Sequence, residues 1–154
     1  MSAPTVPRTT MVHVDTRKVG RRVGYLIAII VNLVLLWLVN VTPGWQDVPW
    51  ITYAAGQVVW LVNLSLIAGA CANMLYLVFD AWWFKALGEL TLALISLVVS
   101  VRVLEVFPFD FSAYPFPWEL LTRFILVIAI VGSFISAITQ VVRLVRGAPS
   151  ARTG

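Results

Sequence analysis

Chemistry in this 154-residue chain would have to come from very few side chains. There is one histidine, His13, one cysteine, Cys71, and seven acidic residues. Haem ligation between helices needs paired histidines, and thiol–disulfide exchange needs a second cysteine. Metal-assisted hydrolysis needs His, Cys, Asp or Glu grouped at ligand spacing, and phosphate cradling needs a glycine-rich loop; the chain has none of these patterns. Glu89 is the exception that invites a role, because it lies inside an apolar stretch. A charge at the centre of a membrane helix costs roughly 2.5–3.5 kcal/mol on insertion scales, so its presence needs a reason. At helical spacing Glu89 shares a face with Ala93, Ser96 and Ser100. That strip could bind a cation or pass a proton, with Asn73 and Gln140 extending the polar path. The plainer alternatives are an i,i+4 pair with Lys85 or an acid that reaches interfacial water.

Four further charges gather near the other end of the same helix and the start of the next: Arg102, Glu105, Glu119 and Arg123. Matching depth predicts one ion-pair cluster, with snorkelling arginines or a role in gating or substrate capture as alternatives. Asn32, in the middle of the first apolar run, reads as an interhelical hydrogen-bonding group, and Asp80 as a turn residue neutralised by Arg143 or Arg146. Arg17, Lys18, Arg21 and Arg22 form a basic patch before the first run. It sets topology first, and attracts anionic lipid second at about 1 kcal/mol per charge.

The elements that must hold these groups follow from composition. Apolar residues make up 60% of the chain and charged residues 12%, with a mean hydropathy of +0.92. Soluble domains carry about 25% charged residues, so an ordinary soluble enzyme, a nucleic-acid-binding domain and a disordered tail are excluded. The expected fold is an all-α integral membrane protein, a bundle of four transmembrane helices over about 23–41, 51–79, 84–107 and 118–145. Residues 1–22 form a basic tail, 23–146 the membrane domain and 147–154 a second tail. A cleaved signal peptide would have a shorter apolar core ending at small residues, whereas Thr42-Pro43-Gly44 reads as a turn. The second run exceeds a bilayer's thickness, so Ile51–Gln57 should lie in the interface or the helix should tilt. Pro108, Pro115 and Pro117 should end both helices that flank them.

Lys and Arg cluster before the first run, between the second and third, and after the fourth, while 42–50 and 108–117 contain none. The positive-inside rule then places both termini in the cytoplasm. Trp45, Trp50, Trp82, Trp83 and the aromatic residues of 107–118 read as headgroup-level anchors, with a carbohydrate platform as the sharper alternative. A bacterial cytoplasmic membrane fits best, and the Arg- and Thr-containing N-terminus leaves an organelle membrane open.

The chain also reads as one helical hairpin written twice, the repeats parallel about an axis along the membrane normal. An offset of about 67 sets Ser65, Gly69 and Asn73 against Gly132, Ser136 and Gln140. Small–small–amide stripes of this kind let backbones approach, which predicts that the second and fourth helices meet centrally and bury all six residues. A polar cavity along the stripes is the alternative. These features point to a non-catalytic structural or accessory subunit, without cofactor, metal or nucleic acid. Its partners would be the bilayer, a second copy or a larger membrane complex. A small channel or transporter using Glu89, Asn73 and Gln140 is the other reading.

Overall fold

The computed structural model describes residues 16–79 and 81–147, with side chains from Val19 onward. Four helices make up almost all of it: α1 (Thr16–Asn40), α2 (Val59–Val78), α3 (Trp82–Val106) and α4 (Trp118–Arg146). Each is long and apolar enough to cross a membrane, so the chain has the build of a multi-pass helical membrane protein.

Helix α1 starts at Thr16, well before Val23, so Arg17–Arg22 lie in its first turns. Lys and Arg are good helix formers, and no proline interrupts the chain between Thr16 and Asn40. The second apolar run divides. Residues Tyr53–Gln57 form a short 3₁₀ turn, and α2 begins only at Val59. Buried Ala55 and Val58 and the contact of Gly56 with the Trp45 ring hold this turn beside the first connection. Helix α3 stops at Phe107, which takes a left-handed conformation (φ 40°) and donates its N–H to Val103 O at 2.9 Å. Pro108 follows and disfavours continued helix.

Packing runs between neighbours in the chain: α1 against α2, α3 against α4 and, less extensively, α2 against α3. The expected central meeting of α2 and α4 along their stripes does not occur. The extended seams lie across the longer connections, 41–58 and 107–117, and the short break between Val78 and Trp82 goes with the smaller α2–α3 contact. The two hairpins are tied at both ends. At the end away from the termini, Ile51 and Phe109 form an antiparallel bridge. There Thr52 N–H donates to Pro108 O at 3.0 Å, and Asp110 N–H donates to Trp50 O at 2.9 Å. At the other end the Tyr76 ring of α2 lies 5.6 Å from that of Tyr25 (α1) and 6.2 Å from that of Phe84 (α3).

The core is thin. Small residues dominate it (Ala70, Ala86, Ala93 and Ala137 among them), and only 6–22% of each span is buried within the chain. The apolar surface left over is what a hydrocarbon solvent or a second membrane protein would cover.

Candidate functional site

The α3–α4 seam holds the groups that sequence singled out on α3. Ala86, Ala93 and Ser100 are buried, and the Ser133 hydroxyl donates to that of Ser96 at 3.0 Å. Glu89 therefore points into the seam, where its carboxylate accepts a hydrogen bond from the amide of buried Gln140. Arg143, one turn further along α4, brings Nη1 to 3.7 Å from the same oxygen and to 3.5 Å from Gln140 Oε1. The carboxylate thus has an amide donor and a countercharge. Neither charged side chain is enclosed by the chain itself, Glu89 being 45% and Arg143 62% exposed. Lys85, the partner weighed from sequence, places its ammonium 5.4 Å from the centre of the Tyr25 ring. From Glu89 an open groove of about 520 Å³ runs along the seam past Ala93, Ser96, Gly132, Ser133 and Ser136.

Asn73 is not brought to this cluster. Its side-chain amide donates to Gly69 O at 2.7 Å on its own helix. The α1–α2 seam is polar in its own way: Asn40 and Asn63 exchange two amide hydrogen bonds of 2.8 Å. Asn32 donates to Ala28 O at 2.7 Å and lies against Gly69, where a Cβ would come within 2.9 Å of Asn32 Oδ1. Ser65 donates to Val62 O at 2.8 Å. The six stripe residues thus have mixed fates. Gly69 and Gln140 are buried, Ser65, Asn73 and Ser136 are half-buried, and Gly132 is exposed, with open space where a Cβ would stand.

The predicted cluster of four outer charges resolves into two pairs, each within one helix. Arg102 reaches Glu105 at 3.0 Å, and Arg123 reaches Glu119 at 3.0 Å. Spacings of i,i+3 and i,i+4 satisfy each arginine without crossing between helices. The link across the connection is instead a cation–π contact, the Arg123 guanidinium carbon 4.0 Å from the centre of the Phe107 ring. Arg21 and Arg22 are exposed on α1, while the side chains of Arg17 and Lys18 lie outside the described residues, as do Asp80 and His13.

Asn40, Asn63 and Ser133 were not singled out from sequence as partners, and Arg143 was weighed there only as a countercharge for Asp80. Asn40 and Asn63 flank the first connection at equal depth, and that signal was readable. Among the described residues no group of three or more His, Cys, Asp or Glu could hold a metal ion. No family model, curated protein or solved structure matches the chain. Any functional reading therefore has to come from the geometry.

Proposed function

We propose that the chain is a non-catalytic membrane protein, a structural or accessory subunit that packs against itself or a larger membrane complex. The observation that carries this reading is how the intramembrane polar groups close on one another. Glu89 is engaged by Gln140 and Arg143, Asn40 by Asn63, and Asn32 and Asn73 by carbonyls of their own helices. Little is left to act on a substrate, while most of the apolar surface is uncovered. The basic residues support an orientation with both termini cytoplasmic, in a bacterial cytoplasmic membrane. Two hairpins with comparable polar seams support an origin by duplication.

A second reading has one observation in its favour. The α3–α4 groove is open and lined by Glu89, Ser96, Ser133 and Ser136, as a small channel or transporter would require. Labelling separates the two. In a Cys71→Ala background, single cysteines at Asn73, Ser136 and Glu89 are treated from each side with a membrane-impermeant maleimide. The subunit reading expects protection at Asn73 and Ser136, and crosslinks between copies or to a partner in native membranes. Labelling at Ser136 together with flux that Glu89→Gln abolishes would replace it with transport.

A further inference from the structure

The connection between α3 and α4 does more than turn the chain. Trp50, Phe109, Phe111, Tyr114, Trp118 and Thr122 line a cavity of about 440 Å³. Trp50 belongs to the other hairpin, and it is locked to this wall by the Asp110 N–H bond to its carbonyl and by an edge-on ring contact with Tyr114 at 6.3 Å. Phe109 and Phe111 stack at 5.9 Å with their planes 11° apart. A second cavity of about 410 Å³ shares Phe109, Phe111, Tyr114 and Trp118 and is edged by Asp110 and Glu119. Headgroup anchoring explains aromatic rings one at a time; it does not require five of them, from two hairpins, around one space.

The lining selects the ligand class. Two hydroxyls, of Tyr114 and Thr122, are too few to hold a sugar, whose many hydroxyls each need a partner. The surroundings are anionic. Neither connection, 42–50 nor 108–117, contains Lys or Arg. Arg123, which follows the lining residue Thr122 in the chain, is occupied by Glu119 and the Phe107 ring. Asp110 accepts the Ser112 N–H at 2.9 Å, and that bond holds its carboxyl below the usual carboxylate range, so it is ionised at neutral pH. Aromatic faces attract cations through their quadrupoles, most strongly cations with greasy substituents that shed water easily. We infer that this aromatic cavity binds a quaternary ammonium group, either a free organic cation or a lipid headgroup that carries one.

The test uses the full chain in nanodiscs of phosphatidylglycerol and phosphatidylethanolamine, which lack such a group. Choline and its uncharged isostere 3,3-dimethyl-1-butanol are titrated by ligand-detected NMR. Choline should bind saturably and at least about tenfold more tightly than the isostere. Trp50→Leu and Trp118→Leu, each checked for native helicity, should lose the binding, and exposed Asp110→Asn should weaken it severalfold. Tyr114→Leu, on the connection itself, replaces either tryptophan variant that does not fold. Discs of phosphatidylcholine then assign the source: competition with choline supports a headgroup site, and undiminished binding supports a free cation. Equal affinity for the isostere, binding that survives loss of the tryptophans, or no saturable binding by the folded protein would each overturn the inference.

Discussion

The amides and the carboxylate within the helices show how an apolar setting tolerates them: Asn32, Asn40, Asn63, Asn73, Glu89 and Gln140 each find a partner one helix away or one turn back. The Asn40–Asn63 exchange is the cleanest case, because two amides satisfy each other across α1 and α2. In a double-mutant cycle of Asn40→Leu and Asn63→Leu, the pair should show a coupling of about 0.6–2 kcal/mol, measured by unfolding in mixed detergent. Additivity of the two changes would mean that the amides do not interact. The Glu89 cluster should behave differently. Glu89→Gln keeps a hydrogen-bonding partner for Gln140 and loses only the ion pair with Arg143, so it should be the milder of two substitutions at this position. Glu89→Leu leaves the amide of buried Gln140 without its acceptor and should cost about 1–3 kcal/mol. Glu89 was legible in the sequence because a carboxylate in an apolar run is conspicuous. Arg143 was not, because near a helix end an arginine is equally at home in the interface.

At the scale of elements, hydropathy and proline placement made the four helices readable, and their packing stayed hidden. Small residues mark close approach without naming the partner, so a repeat alignment paired α2 with α4, whereas the extended seams join α1 to α2 and α3 to α4. Gly69 and Gly88 show the difference between stripe and contact. A Cβ at Gly88 would collide with the Tyr76 hydroxyl, and one at Gly69 would fall 2.9 Å from Asn32 Oδ1. Gly88→Ala should therefore strain the α2–α3 contact by about 1–3 kcal/mol, with Gly69→Ala milder because the Asn32 amide can rotate. Gly132 has nothing within 4 Å, so Gly132→Ala should stabilise an isolated chain by up to about 1 kcal/mol through helix propensity. The same position serves as a probe of assembly. If a second helix docks in the α3–α4 groove, a bulky Gly132→Ile should abolish crosslinked dimers while leaving monomer helicity intact. Unchanged dimer yield would move the interface to another face.

For the whole molecule, the uneven packing implies uneven cooperativity. Each hairpin has an extended seam, whereas α2 and α3 share a smaller one, helped by two main-chain hydrogen bonds at one end and the Tyr76 aromatic cluster at the other. A protein built this way should come apart between its hairpins before it comes apart within them. Pulled from its C-terminus out of a bilayer in a force microscope, the chain should release α4 with α3 as one unit, then α2 with α1 as another. Tyr76→Ala removes a buried ring that both hairpins touch, so it should lower the force that separates the units. The forces within each unit should change less. A cysteine pair replacing Ile51 and Phe109, which face each other in the antiparallel bridge, should do the reverse and merge the two events once oxidised. A single cooperative rupture in the unmodified chain would mean that the α2–α3 contact is as strong as the hairpin seams, and that the two halves act as one body.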